Sequence, residues 1–250
     1  MNKKILCICL MVFMSCFVFA QALVKDTAIG FPFFGIGMAV HLPGADMADR
    51  FGTNAAVHSN FSYKFKSGFT LTTNGGFLFG TQINEGNILK NISTSDGEII
   101  GNDGRISQIR LFERGYFACI DAGKIFSSKK PNPNSGIWVT MGAGFIQHKI
   151  RIENIGNAVY GLDKDYVKGY DRLTNGLMLH QFVGYVYFGN KRLINFFAGV
   201  EGIQGFTQNR RSYNFDTMIA DDKKRFDLLI GIKAGWILPL YTKPDKFYYN

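Results

Sequence analysis

The side chains that could perform catalysis or bind a metal ion are few and widely spaced. The chain has four histidines, at positions 41, 58, 148 and 180, and none belongs to an H-x-H or H-E-x-x-H motif, which would bring two imidazoles to one metal ion. His58 and Ser62 share one face of a predicted strand, but four residues separate them by about 13 Å, which is too far for a hydrogen bond. The sequence also lacks a G-x-S-x-G motif. We therefore expect no catalytic site, no metal site and no bound cofactor.

The first 21 residues have the pattern of a secretory signal peptide. Lys3 and Lys4 precede an apolar run at 5–20, and Ala20 before Gln21 fits a cleavage site. Cys119 is then the one thiol of a single mature domain at 22–250, which argues against a disulfide framework. An exported protein does not meet nucleic acid, so the formal net charge of +9 does not indicate a nucleic-acid partner. No mature segment is long and apolar enough for a transmembrane helix.

The clearest structural signal is a two-residue alternation over 226–241, which is typical of a β-strand. Asp227 and Lys233 share one face with two glycines, and the opposite face is apolar throughout. A central strand of a soluble sheet would not place these charges opposite an unbroken apolar face, whereas the wall of a transmembrane barrel requires that pattern. The apolar face contains Phe226, Leu228, Ile230, Ile232, Ala234, Trp236, Leu238 and Leu240.

Seven further segments also have the character of strands. In 106–126 and 137–152 the alternation changes phase part-way along the segment, as a β-bulge would produce. In 176–188 each face has a polar residue, His180 or Gln181, so the inward face stays open. The remaining four alternate more regularly: 32–42, 53–65, 69–80 and 193–207.

The connections between the eight segments alternate between short and long. This layout predicts an all-β fold, an eight-stranded antiparallel transmembrane β-barrel of the outer-membrane type. Its short turns and both termini would face the periplasm, with a short tail at 242–250, and its long loops would face outward. The short connections are 66–68, 127–136 and 189–192, and the long ones are 43–52, 81–105, 153–175 and 208–224.

Aromatic residues collect at the end with the short turns, where we interpret them as an interfacial girdle. A secreted soluble β-sandwich also needs alternating strands, but it explains neither this girdle nor the uneven connections. The predicted girdle consists of Phe31, Phe33, Phe34, Phe61, Tyr63, Phe65, Phe69, Phe126, Trp138, Tyr185, Tyr187, Phe188, Phe196, Phe197, Trp236 and Tyr241.

Several stretches resemble the small outer-membrane β-barrel proteins of Bacteroidota, a family without an assigned activity. They are the Ala-Gln end of the signal peptide, GWILPLY at 235–241 followed by KPDKFYY, RLTNG at 172–176 and GFTQNRRSYNFDT at 205–217. The resemblance implies an integral outer-membrane protein that belongs to a larger envelope assembly.

The inward faces of the predicted strands combine into a polar network in the lumen, which contains His41, His58, Glu201, Asp227 and Lys233. A symmetric hairpin around residue 216 would place Glu201 opposite Gly231, one diagonal step from Lys233. We therefore expect an ion pair between Glu201 and Lys233. The same reasoning for the first hairpin places His41 opposite Asn54 or Ala56.

The long loops carry basic and aromatic residues of the kind that anchor interfaces, and we take five of them as candidate binding residues. They are Lys149, Arg151, Arg210, Arg211 and Tyr213. The expected function is a structural or interaction role in the envelope, in which these loops or a basic periplasmic rim hold another envelope protein. The alternative is a barrel that binds or transports a lipid or another small ligand, and a lipid-modifying enzyme is the third possibility. Lipid of the outer membrane is the other expected partner.

Overall fold

The computed structural model describes residues 27–127, 131–157, 159–163, 165–190 and 194–241. Eight antiparallel strands follow one another around a closed barrel, and β8 pairs with β1. The predicted signal peptide at 1–21 and the tail at 242–250 lie outside the described residues. The strands are β1 (Phe31–Ala45), β2 (Asn54–Lys64), β3 (Phe69–Gly80), β4 (Ile109–Ser127), β5 (Gly136–Asn154), β6 (Thr174–Phe188), β7 (Asn195–Asn209) and β8 (Lys224–Pro239).

The expected asymmetry of the connections is confirmed for three of the four outer loops, whereas the connection at 46–53 is only as long as that at 128–135 on the opposite rim. We name the four loops at the outer rim L1 (46–53), L2 (81–108), L3 (155–173) and L4 (210–223). In the described part of the chain no helix is long and apolar enough to cross a membrane. The described helices are single 3-10 turns at Lys90–Ile92, Ile155–Asn157, Tyr160–Leu162 and Tyr166–Gly169.

The strand register sets the width of the lumen. Following paired residues once around the barrel from Gly35 leads back to β1 at Ala45, ten residues further along the chain. This stagger tilts the strands against the barrel axis, and an eight-stranded barrel has an interior that side chains just fill. A wide aqueous channel is therefore not available in this architecture.

The two faces of β8 are oriented as predicted. Ile230 and Ile232 point outside the barrel, and Asp227 and Lys233 point into the lumen. His180, whose face the sequence left open, is inside. The closed ring, with its belt of exposed apolar side chains and its polar interior, has the inside-out character of a barrel in lipid. The chain is therefore an integral outer-membrane β-barrel.

The expected bulges in β4 and β5 are wrong. The two strands pair without interruption from Ile109 opposite Asn154 to Ser127 opposite Gly136. The change of residue type has another cause, because Ile146 and Ile150 face inward into an apolar part of the lumen while Lys149 and Arg151 point outward near the outer rim. The polarity of the inward and outward residues changes along the strand, but the alternation of inward and outward positions continues without a break.

The girdle at the short-turn end is only partly as predicted. Phe34, Phe61, Tyr63, Phe69 and Trp236 are among the members that point outward. Five other members point into the lumen, because an eight-stranded barrel is narrow enough for rings to fill it and the end of the lumen must exclude water. These five are Phe31, Phe33, Trp138, Phe188 and Phe197.

The orientation of β8 gives a direct test of the lipid face. Ile232 is 71% exposed on that face, whereas its neighbour Lys233 is buried in the lumen. We expect I232R to lower the free energy of unfolding in liposomes by about 2–4 kcal/mol, because an arginine near the bilayer midplane loses its hydration. Urea unfolding followed by tryptophan fluorescence measures the change, with I232L as the matched control. Equal stability of I232R and the wild type would mean that this strand faces lipid with its other side.

Candidate functional site

Glu201 is the hub of a charged group at the centre of the lumen. Its Oε2 atom lies 2.9 Å from Lys233 Nζ and 3.1 Å from His180 Nε2, and its Oε1 atom lies 2.8 Å from His41 Nε2. Glu201 also pairs with Gly231, as the hairpin symmetry predicted. The expected ion pair of Glu201 and Lys233 is present, and the carboxylate receives two additional nitrogen donors that complete its hydrogen bonding.

Two glycines make these contacts possible between strands that are not neighbours. Gly231 on β8 pairs with Glu201 on one side and with His41 on the other, so the missing side chain lets Glu201 reach His41. Gly142 on β5 likewise separates Asp121 from His180, and a Cβ atom at Gly142 would come within 2.2 Å of the Asp121 carboxylate. The space above each glycine is filled by a polar contact.

The cluster of Cys119, Asp121 and His180 is the group of described residues whose type and spacing come closest to a metal site. Their potential ligand atoms lie within 4.8 Å of one another. However, His180 Nδ1 is 3.0 Å from Asp121 Oδ2, and its Nε2 atom faces Glu201. Both ring nitrogens of His180 are thus engaged by carboxyl groups, so neither is free to bind a metal ion. The arrangement fits a structural hydrogen-bond network better than a metal centre.

A second charged group closes the lumen under the outer loops. Arg50, which comes from L1, donates to the Oδ1 atom of Asp227. The other oxygen, Oδ2, lies 2.9 Å from His148 Nε2 and 2.5 Å from Thr207 Oγ1. The predicted polar network is therefore divided in two, with Asp227 in this outer group and Glu201 and Lys233 in the central group.

His41 and His58 both face the lumen, but they differ in their partners. His41 pairs with Asn54 across the first hairpin, and its Nδ1 atom is 3.1 Å from Asn54 Oδ1. His58 lies next to the ring of Phe197, and neither of its nitrogens has a hydrogen-bond partner among the described residues. His58 therefore lies in the lumen as predicted, but it stands outside the two hydrogen-bonded charged groups. Ser62 hydrogen-bonds to Thr72 at 2.9 Å rather than to a histidine.

Apolar layers close the lumen on both sides of the charged groups. At the periplasmic end, rings of Phe31, Phe33, Trp138 and Phe188 pack against one another, with centroids 5.0 to 5.8 Å apart in three of the contacts. At the outer end, apolar residues of the loops continue the packing of the upper lumen. The space that remains near Asp121 is about the size of one water molecule. The lumen is thus filled by packed side chains, as an eight-stranded barrel predicts.

The outer loops pack against one another and form a cap over the end of the barrel. Met47 and Phe51 of L1 are completely buried beneath it, together with Ile88 of L2 and Leu162 of L3. Arg172 of L3 joins three loops, since it contacts Glu85 of L2 at 3.0 Å and Asp216 of L4 at 2.5 Å. We call L1 to L4 together the loop cap.

Carboxylates at the base of the cap are held in their ionised form. The backbone N–H of Phe226 donates to Asp46 at 2.7 Å and, together with Lys223, lowers the pKa of Asp46. Burial alone would raise the pKa of Asp221, but the guanidinium of Arg225 lowers it below its usual value. Both carboxylates therefore keep their charge at neutral pH, so the loop contacts that they make are ionic.

The five candidate binding residues of the outer loops have different surroundings. Arg211 is bound by both oxygens of Asp171, at 2.7 and 2.5 Å, so it is a structural residue of the cap. Tyr213 donates to the carbonyl of Met218 in the same loop. The other three remain more accessible: Lys149 lies 3.6 Å from Asp171, Arg151 lies 3.7 Å from Glu153, and Arg210 donates to Asn175 at 2.6 Å.

Sequence reasoning did not identify Arg50, Asp121, His148 or His180 as members of the lumen groups. Asp121, His148 and His180 lie in the three strands whose alternation is irregular, and a barrel-wide register would have been needed to place them. Arg50 belongs to a loop, where no periodicity points to the lumen. The one available signal was that these polar residues occur in otherwise apolar segments.

Comparison with known proteins gives a similar architecture at low sequence identity. No protein-family model matches the chain, and no curated protein matches it. Ail, the attachment invasion locus protein of Yersinia pestis, has a TM-score of 0.44 at 12% identity, covering 84% of this chain and 99% of Ail. OprG of Pseudomonas aeruginosa has a TM-score of 0.37 at 10% identity, covering 86% of this chain and 98% of OprG. The N-terminal barrel of OprF from the same organism has a TM-score of 0.36 at 11% identity, covering 83% and 96%.

Proposed function

We propose that this barrel is a non-conducting, non-catalytic anchor whose loop cap binds another envelope protein. The observation that carries the proposal is a group of large apolar side chains exposed on the cap, above the charged contacts at its base. We name Ile100, Ile106, Ile155 and Tyr160 the cap patch; their exposed fractions range from 40% to 73%. Exposed apolar side chains that form a contiguous patch on an aqueous surface are typical of protein-binding sites.

The members of the cap patch come from two loops that contact each other. Ile100 and Ile106 of L2 pair directly across a β-bridge, so their side chains stand side by side. The backbone of Ile155 donates to the carbonyl of Gln108, and the backbone of Tyr160 donates to Asn102 at 3.4 Å. L2 and L3 therefore present these side chains together.

The cap is held in one arrangement before any partner arrives. Arg172 ties L2 and L4 to L3, and the buried side chains beneath the loops fix the cap to the barrel. A preformed surface avoids part of the entropy cost of binding, so a moderate apolar patch supports specific recognition. The packed lumen favours this role over the transport of a small ligand.

The alternative periplasmic surface has less support. Lys64, at that end, is turned inward and donates to Ile29 O at 2.9 Å and to Asn134 Oδ1 at 3.0 Å. The basic residues at 129–130, 191–192 and 243–246 lie outside the described residues. We also propose that the chain is related to the Bacteroidota barrels, on the basis of the stretches at 172–176, 205–217 and 235–241.

Cross-linking in intact cells tests the cap patch. A photoreactive residue at Ile106 is expected to give one discrete protein adduct, and Y160S is expected to reduce that adduct at least fivefold because it removes the largest exposed ring of the patch. The same photoreactive residue at Lys90, next to the L2 contact with L4, is the matched control. Adducts of equal yield and composition from both positions, or none from Ile106, would contradict the proposal.

A further inference from the structure

The lipid face of the barrel carries a depression on one side. Small residues at neighbouring positions of β3, β4 and β5, namely Gly75, Ala118 and Ala143, form its floor, and the larger Phe61, Phe145 and Leu177 stand around it. Gly75 pairs with Ala118, and Ala118 pairs with Phe145, so the depression continues across adjacent strands. We call it the β2–β6 groove. Its lining is mainly apolar with Ser59 and Thr73 as outward-facing polar members, and Phe34 of β1 and Phe206 of β7 border it.

A group of cations lies on the same strands nearer to the outer rim. Arg114 on β4 is the direct cross-strand neighbour of Lys149 on β5, and Arg151 follows Lys149 on the same outward face. Arg210 joins them through Asn175, which is the cross-strand neighbour of Gln147. We call Arg114, Lys149, Arg151 and Arg210 the rim cations.

The charge of the rim cations is poorly compensated. Arg114 donates to the backbone carbonyl of Glu113 and lies over the ring of Phe112, and Arg210 donates to an amide. Neither of these two side chains forms an ion pair at contact distance with an acidic residue in the described part of the chain. Lys149 approaches Asp171 at 3.6 Å, but Arg211 already binds both oxygens of that carboxylate. Arg151 lies 3.7 Å from Glu153, and both side chains are exposed, so solvent screens this pair. The four cations outnumber the carboxylates beside them, so the group attracts an anion.

We propose that the rim cations and the β2–β6 groove together bind one phosphorylated, acylated lipid of the outer leaflet. Ala118 and Arg114 are four residues apart on β4, as are Phe145 and Lys149 on β5, which corresponds to about 13 Å along the strands. A phosphate at the level of the rim cations therefore stands above acyl chains that lie in the groove. The planar guanidinium groups of Arg114 and Arg151 suit phosphate oxygens.

We assign the site to a lipid rather than to a second barrel because its two parts lie at different depths in the membrane. The groove is in the lipid-facing wall of the barrel, whereas the rim cations are at the outer boundary of the membrane. A self-complementary contact between two copies would bring the uncompensated rim cations towards each other, which costs free energy.

Native mass spectrometry of the detergent-purified protein tests the site, with diphosphorylated lipid A as the probe. We expect one lipid to be retained by the wild type, and R114Q/K149Q to weaken its binding at least tenfold. A143F, which fills the groove with an outward ring, is expected to weaken binding at least threefold. K124Q, at the opposite rim of β4, and A234F, on the outward face of β8, are the matched controls and should bind as the wild type does. Heat-modifiable migration on gels shows that each variant is folded, and the single variants R114Q and K149Q replace the double variant if it is not.

Five further results would overturn the proposal. Equal losses in K124Q or A234F would mean that lipid adheres without a site, and unchanged binding in R114Q/K149Q would remove the role of the cations. Equal binding of dephosphorylated lipid A would do the same. If inorganic pyrophosphate displaced the lipid completely at equal concentration, the site would be a free-anion site without an acyl groove. A dimer that disappears in A143F while lipid binding persists would assign the groove to a second copy.

Discussion

Replacing Glu201 by glutamine is expected to lower the free energy of unfolding by about 3–5 kcal/mol, the usual cost of removing one partner from a buried ion pair. Glu201 is completely buried, and its carboxylate is contacted by nitrogen atoms of Lys233, His41 and His180. The amide keeps the shape of the side chain but leaves these donors around a neutral group. K233M should cost less, because Glu201 then keeps both histidines.

A double-mutant cycle separates the ion pair from its surroundings. E201Q/K233M should be more stable than the sum of the single effects predicts, by more than about 0.5 kcal/mol, because removing both charges leaves neither unpaired. Urea unfolding in liposomes provides the measurement, and the fluorescence of Trp138, which lies in the lumen, reports on it. E153Q, at the outer end of β5, is the control and should change stability by less than about 0.5 kcal/mol. Additive single effects would show that Glu201 and Lys233 do not interact.

Arg50 has a comparable role at the outer end of the lumen, where R50M is expected to cost about 3 kcal/mol or more. Arg50 is the cation that L1 inserts next to the buried Asp227, and it also donates to Thr174 Oγ1 at 3.2 Å. Without it, we expect L1 to detach from the mouth of the barrel. Urea unfolding measures the stability, and hydrogen exchange at 46–53 measures the release of the loop.

K223M is the matched control for R50M. Lys223 of L4 pairs at 3.3 Å with Asp46, which lies in L1 as Arg50 does. The Lys223 side chain is 68% exposed, so solvent screens this pair. We expect K223M to change stability by less than about 1 kcal/mol and to leave exchange in L1 as it is in the wild type. If R50M and K223M had equal effects on both measurements, Arg50 would not hold the cap to the barrel.

The strands could be predicted from the sequence wherever the lipid side and the lumen side of the barrel wall differ in polarity along the whole segment. The outward Ile230 and Ile232 meet lipid and the inward Lys233 meets polar neighbours, so residue type reports directly on orientation. The inward face of β5 changes from Thr140 to Ile146 and Ile150 because the lumen contains both polar and apolar layers. In β5, judging orientation from residue type therefore predicted a bulge, although the strand pairs regularly.

The lumen contacts were predictable only within a hairpin. The register of Glu201 and Gly231 follows from the symmetry of one loop, and it led to the contact with Lys233. The contact of Asp121 with His180 crosses an intervening strand at Gly142, so it depends on the registers of two hairpins together. The insertion of Arg50 depends on the packing of a loop, which has no repeating pattern to reveal its direction.

The central claim, that the barrel is sealed by two apolar layers with charged groups between them, is tested most directly by electrical recording. The full mature chain is inserted into planar lipid bilayers, and single-channel current is measured across a range of voltages and salt concentrations. We expect no discrete conductance steps from the wild type, since side chains fill the lumen between the ring of Phe188 and the side chain of Phe51. Reproducible open steps whose current rises with salt concentration would demonstrate a continuous aqueous path and contradict the account.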